Sequence, residues 1–194
     1  MKIYFTHHYS LDISMELLKA CSIVSLIFVH ELEITGASSL IFQTGKCKFS
    51  PTYFQNFTLE IRNNTLYMDM TTIKPIHRGL KVFLNTQISL DKGRSYQRLF
   101  AHILDTCGVV SSVRGNLFKS WFDSMLKHGN FMVNCPVPAG HYFLQDWKLD
   151  SQLVPHYLLP GDYCITAHFF FGKHKSKQED FFLDLEVYAL LKAT

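Results

Sequence analysis

The stretch Leu80 to Leu90, LKVFLNTQISL, sets apolar Leu80, Val82, Leu84, Ile88 and Leu90 against mostly polar neighbours. That is the two-residue period of a strand with one face buried and one face wet. A second stretch near the C-terminus, Phe181 to Leu191 (FFLDLEVYALL), repeats it through Phe181, Leu183, Leu185, Val187, Ala189 and Leu191. Five further segments are rich in aromatic or branched residues and bounded by turn residues: Tyr53 to Ile61, Leu66 to Ile73, Tyr96 to Cys107, His141 to Leu149 and Tyr163 to Phe171. The turns between them fall at Asn63-Asn64, Asp91-Lys92-Gly93, Pro136 to Gly140, Pro160-Gly161-Asp162 and Gly172-Lys173-His174.

Between Tyr96 to Cys107 and His141 to Leu149, the fourth and fifth of these segments in chain order, the period changes. In GNLFKSWFDSMLKHGN, Leu117, Phe118, Trp121, Phe122, Met125 and Leu126 form one stripe of an amphipathic helix, with Gly129 as its expected C-terminal stop. Beyond Gly129, Phe131 to Asn134 is expected to run extended. Seven or so strands with one inserted helix predict an all-β protein, an antiparallel two-layer β-sandwich. No repeat, linker or low-complexity tract divides it, so one domain is expected from residue 40 to 194.

The first 37 residues differ in kind. Ala20 to Val29, ACSIVSLIFV, is an uncharged run preceded by Lys19 and followed by small residues at Gly36, Ala37 and Ser38. It is too short to cross a bilayer, which takes about 20 apolar residues. The order of basic residue, apolar run and small residues is that of a secretory signal peptide, with cleavage expected near Ala37. Met15 to Val29 makes a leader by itself, so Met1 to Ser14 reads as an upstream extension from an earlier start codon. Cleavage would remove Lys2 and Lys19 against Asp12, Glu16, Glu31 and Glu33, leaving a chain more basic than the +3 of the whole. The Lys and Arg residues are scattered rather than clustered, and no nucleic-acid partner is expected.

Four cysteines remain after the leader: Cys47, Cys107, Cys135 and Cys164. An even count in a secreted chain suggests two disulfides, and the wide spacings exclude a zinc knuckle. Three pairings are open. A path of loop, helix and return favours Cys107 with Cys135, a closure worth roughly 3 kcal/mol, leaving Cys47 to meet Cys164. Two sequons, at Asn56 and Asn63, are expected to carry glycans in the same compartment.

Catalytic patterns are lacking. His7, His8 and His30 lie in the leader and the other histidines show no HxH or HxxxH spacing, so no metal and no cofactor are expected, although sequence leaves open a ligand pair made in space. There is no GxSxG and no Gly-rich phosphate loop. Asp105, Asp146 and Asp150 offer carboxylates, but nothing in the sequence pairs them across a cleft. A non-enzymatic protein is expected.

Aromatic content stands out instead, with 17 Phe, 9 Tyr and 2 Trp. In the run His168-Phe169-Phe170-Phe171 successive side chains point to opposite faces, so the phenylalanines cannot all enter one core. One reading is an ordinary core plus edge cover. The other is two sheets held apart around an apolar cavity for a lipid-like ligand, lined by Phe118, Trp121, Phe122, Met125, Tyr142, Trp147, Phe169 and Phe171.

Several pieces in order carry a family resemblance: LDTCG (Leu104 to Gly108), WFDSMLKHGNF (Trp121 to Phe131), NCPVPAGHY (Asn134 to Tyr142) and LLPGDY (Leu158 to Tyr163). Together they resemble a large insect family of small secreted proteins filed as a domain of unknown function. That family is grouped with the ML (lipid-recognition) superfamily and CheB-type chemosensory proteins. The similarity runs over roughly residues 44 to 192. It implies an ML-like β-sandwich with an internal hydrophobic cavity, secretion, a bridge between Cys107 and Cys135, and no catalysis. Many relatives carry two cysteines near the mature N-terminus, whereas this chain has Cys47 there and adds Cys164. The expected function is a secreted carrier of a hydrophobic small molecule (lipid, sterol or hydrocarbon), solubilising it or presenting it to a membrane receptor. The alternative is an extracellular protein-interaction module that acts on a receptor or channel and has no cavity.

Overall fold

Eight strands form two antiparallel sheets in the computed structural model, which describes residues 39–112, 118–130, 135–155 and 157–192. The strands are β1 (Ser39–Phe49), β2 (Phe54–Arg62), β3 (Thr65–Thr72), β4 (Lys81–Ser89), β5 (Gln97–Asp105), β6 (Gly140–Trp147), β7 (Gly161–Phe171) and β8 (Asp180–Lys192). Two helices, α1 (Thr106–Ser112) and α2 (Phe118–Leu126), lie between β5 and β6, and a 3-10 turn (Ser151–Leu153) precedes β7. The larger sheet has the order β1-β8-β7-β4-β5 and the smaller one β2-β3-β6. The architecture is the all-β sandwich the alternation predicts. Ala37 to Thr194 forms one unit, and no helix among the described residues is long and apolar enough to cross a membrane.

All seven expected strands are present, and β1, which carries Cys47, precedes them. Its alternation is masked by a bulge between Phe42 and Thr44 and by Gly45, where a side chain would press on Leu59 at 3.1 Å. The β2–β3 hairpin turns on Asn63 and Asn64, both with positive φ (50° and 66°). That is the conformation a two-residue primed turn needs and Asn tolerates. β4 stops at Ser89, so Leu90 leaves the apolar face and is 68% exposed.

The core runs between the sheets. Phe57, Leu59, Leu66, Met68, Met70, Leu144 and Trp147 come from the smaller sheet, and Phe42, Tyr163, Phe182, Leu183, Ala189 and Leu191 from the larger. At one end the packing is almost wholly aromatic: Phe54 meets Phe182 at 4.7 Å and Phe57 at 5.6 Å, and Tyr53 meets Phe182 at 5.0 Å. Phe182 corrects the expected face of β8. Phe169 pairs with Leu183 but Phe170 pairs with Phe181, so Phe182 is an extra, bulged residue. The bulge turns Phe182 inward and leaves Phe181 outside, stacked 6.0 Å from His168.

The region after β5 departs from expectation twice. The strand ends at Asp105, whose carboxylate accepts the Gly108 backbone N–H at 2.6 Å and starts α1. The LDTCG sequence is thus a helix start, with Asp105 at the N-cap and Cys107 in the first turn. The predicted single helix ends at Leu126 rather than Gly129. Gly129 forms a bridge with Leu144, and a Cβ there would lie 1.9 Å from the Phe143 carbonyl oxygen. Glycine is needed for strand approach, not as a helix stop. Leu117 and Phe131 to Asn134 lie outside the described residues.

Cys107 and Cys135 form a disulfide with Cα atoms 5.6 Å apart. The expected Cys47–Cys164 bridge is not made, and both thiols are free. Cys47 is opposite Leu185 on β8, and Cys164 is opposite Tyr188. β8 separates their strands, which puts them about 10 Å apart across the sheet, beyond the roughly 7 Å a disulfide spans. They also face opposite ways: Cys47 packs toward the core, and its thiol donates weakly to the Phe57 carbonyl at 3.8 Å. Cys164 is buried on the outer face beside Tyr188.

Candidate functional site

Five strands facing three leave one side of the sandwich different from the other. β1, β8 and β7 contribute heavily to the core, while β5 forms the far edge of the larger sheet. On β4 the residue ending the preceding loop, Leu80, and Ile88 near the strand's end belong to the core, whereas Leu84 in the middle is only half-buried and lies outside it. β5 continues that face by register: Leu104 opposite Val82, His102 opposite Leu84 and Phe100 opposite Thr86. Leu104 is half-buried, His102 exposed and Phe100 40% exposed. Leu84, Phe100 and Leu104, with His102 between them and stacked on Phe100, therefore make a largely apolar strip on the inward side of the sheet, outside the core cluster.

Most of the expected ligand-lining residues pack against the core. Trp121 and Met125 on α2, Tyr142 on β6, and Phe169 and Phe171 on β7 are partly buried against the core cluster, and Trp147 is inside it. Their polar atoms are satisfied: Trp121 Nε1 donates to the Leu153 carbonyl at 2.7 Å, Trp147 Nε1 to Ser124 Oγ at 3.2 Å, and the Tyr142 hydroxyl to the Pro138 carbonyl at 2.8 Å. Phe122 is half-buried on α2 outside that cluster. The Phe118 side chain lies outside the described residues. The strip of Leu84, Phe100 and Leu104 was missed by sequence reasoning. Its signal was the alternation of β4 itself, but nothing in a strand pattern says whether its apolar face is covered.

The three candidate carboxylates are spread apart. Asp105 caps α1, Asp150 accepts the Gln152 N–H at the 3-10 turn, and Asp146 accepts the Tyr67 hydroxyl at 3.1 Å. The sequons also part company. Asn63 is exposed at a hairpin tip, while Asn56 is half-buried on β2 and donates to Asp69 at 3.2 Å.

The outer face of the larger sheet carries a polar cluster that spacing did not reveal. A cross-strand row runs Lys48, Asp184, His168, Phe83. The loop after β7 folds back over this row. Gly172 allows it, with φ at 88° and room for no Cβ, which would lie 2.1 Å from the Gln178 carbonyl oxygen. His174 then stacks on Phe83 (4.8 Å) and lies 5.0 Å from Phe170, the fully buried middle phenylalanine of the aromatic run. His168 Nδ1 contacts Asp184 at 2.5 Å and Nε2 contacts Glu179 at 2.9 Å. Burial pulls the His168 pKa down, but the hydrogen bonds to Asp184 and Glu179 outweigh it and leave it above the ordinary 6.5. Burial would raise the Glu179 pKa, yet His168 and the Lys175 N–H hold it below the usual value.

Residues 82–165, from β4 into β7, match a family described as protein of unknown function (DUF1091). The matched segment takes in both helices, the disulfide and β6. No curated protein matches the chain.

Proposed function

We propose that this protein is a secreted, non-enzymatic binder of an apolar small molecule such as a lipid, sterol or hydrocarbon, taken up between the sheets beside β4 and β5. The observation that carries the reading is the inward strip Leu84, Phe100 and Leu104, apolar yet outside the core that fills the rest of the sandwich. Covering such surface supplies about 25 cal/mol per Å2 to a ligand. In this reading Trp121 and Phe122 on α2 would supply rings to close over the guest. The resemblance to a family grouped with ML and CheB-type proteins supports the same reading, including a chemosensory setting and presentation to a membrane receptor. The disulfide supports an oxidising, extracellular compartment, and Asn63 is the better placed of the two sequons for a glycan.

The test is native mass spectrometry and lipid extraction of protein secreted from insect cells, followed by displacement of a fluorescent fatty acid. Bound lipid in wild type, lost in Leu84→Glu, supports the proposal. Protein that carries no lipid and takes up no fatty acid overturns it. A second reading, an interaction module, is favoured by the open edge of β5, where Leu99 and Ile103 are 45% and 50% exposed. Ile103 lies opposite Phe83, on the outer face, away from the strip. Ile103→Lys should then abolish receptor capture while leaving fatty-acid binding intact.

A further inference from the structure

We propose that His168, His174 and Glu179 form a binding site for a divalent transition metal ion, of which zinc is the best fit, that clasps the β7–β8 loop onto the outer face of the larger sheet. The donor atoms of these three residues lie within 4.8 Å of one another. Two separations are already close to those in a coordination sphere: His168 to Glu179 at 2.9 Å and His174 Nδ1 to Glu179 at 3.2 Å. Ligands at ~2.0–2.1 Å around a tetrahedral ion sit about 3.3 Å apart.

Two independent features point to an ion rather than to a simple ion pair. First, both ring nitrogens of His174 are buried and neither has a hydrogen-bond partner, since the 3.2 Å approach of Glu179 lacks hydrogen-bond geometry. Buried polar atoms are nearly always satisfied, and an orphaned imidazole beside a carboxylate is accounted for by a cation both can reach. Second, Asp184 sits on the far nitrogen of His168. A carboxylate there holds Nδ1 protonated and turns Nε2 toward the ion, the outer-shell arrangement that orients histidine ligands in zinc sites. On binding, any proton on Nε2 would leave to solvent.

The chemistry of the donors selects the ion. Two imidazoles and one carboxylate suit zinc and its neighbours, whereas calcium and magnesium prefer all-oxygen shells and copper(I) prefers sulfur. A surface groove of about 290 Å3, lined by Lys46, Lys48, Asp184 and Glu186 among others, reaches His168. The site needs no HxH or HxxxH motif because the loop, turning at Gly172, brings His174 and Glu179 back over a strand residue.

Chelator-treated full-length protein titrated with zinc chloride in a calorimeter should bind one ion per chain, and zinc should raise the melting temperature. His174→Phe keeps a ring on Phe83 and Phe170 and should abolish binding. Glu179→Gln, which keeps the side chain's size and shape, should do the same if His174→Phe proves unstable. Asp184→Asn should weaken binding roughly 10- to 100-fold, and His102→Ala, elsewhere on the sheet, should leave it unchanged. Cobalt(II) in place of zinc should give the absorption bands of a four-coordinate ion. Absence of zinc binding by the folded protein, or binding that persists in a folded Glu179→Gln variant, overturns the proposal.

Discussion

The two ends of the larger sheet bury apolar residues in different ways. At the β1–β8 end, Phe49, Tyr53, Phe54, Phe57, Phe171 and Phe182 touch ring to ring at 4.7 to 6.4 Å. At the β4–β5 end, Leu84 and Leu104 are half-buried and Phe100 is 40% exposed. The first end holds the fold together by packing. The second is where surface is left for something else to cover, and a covalent bridge and turn hydrogen bonds add there to the strand ladder.

The comparison is broken most directly by truncation at each end. Phe54→Ala should cost about 3–5 kcal/mol, the usual loss for a fully buried ring, measured by denaturant unfolding. Leu84→Ala should cost well under half of that in ligand-free protein, because its side chain has fewer neighbours to lose. Equal losses at the two sites would mean that the β4–β5 end is as well packed as the other. Adding a fatty acid should then separate them further: it should stabilise wild type, and stabilise Leu84→Ala less.

The second test concerns what holds the open end in place of packing. Removing the Cys107–Cys135 bridge, as Cys107→Ser with Cys135→Ser, should lower stability by roughly 3 kcal/mol for a closure of 28 residues. Cys47→Ser and Cys164→Ser, which break no bridge, should each change it by less. A double variant as stable as wild type would show that the region between β5 and β6 is held by its own contacts.

How much of this could be read in the sequence depended on the range of the interaction. The strands β4 and β8 announced themselves because a half-buried strand repeats every two residues. The bulge at Phe182 did not, since it is set by pairing with Phe169 and Phe170 on another strand. The same limit explains Cys47 and Cys164. Their even count suggested a bond, but their faces and the intervening β8 are properties of the sheet order. Gly129 looked like a helix stop because glycine so often is one, and only the bridge to Leu144 gives its reason. Trp121, Met125, Phe169 and Phe171 were legible as apolar and were placed against the core, but their pattern could not separate lining from filling. His168, His174 and Glu179 carried no spacing signal because a strand and a returning loop supply them together.

The third test is Gly172→Val. The left-handed backbone and the missing space for a Cβ put the cost at about 1–3 kcal/mol. Fatty-acid binding at the β4–β5 strip, on the opposite face of the sheet, should survive while zinc binding is lost. Joint loss of both would tie the two faces into one unit and weaken the division drawn between them.

The smallest expected effect is a pH dependence confined to the open end. Asp91 in the β4–β5 turn accepts the Ser89 and Ser95 hydroxyls, each at 2.6 Å, and the Ser95 N–H at 2.9 Å. These bonds hold its carboxyl at about 2, below the ordinary 3.8. A depressed carboxyl stabilises the folded turn at pH above the unfolded value, and that contribution fades as pH falls from about 4 through about 2. Amide hydrogen exchange at Gly93 and Ser95 should therefore gain protection as pH rises through this window, once the intrinsic rates are divided out. Asp91→Asn should flatten the dependence at these two amides, while amides of the Phe54–Phe182 end, which no carboxylate of the turn reaches, should keep their protection in both proteins. If the aromatic end loosened in step with the turn, the two ends would be one cooperative structure, and the open strip beside β4 would share the rigidity of the core.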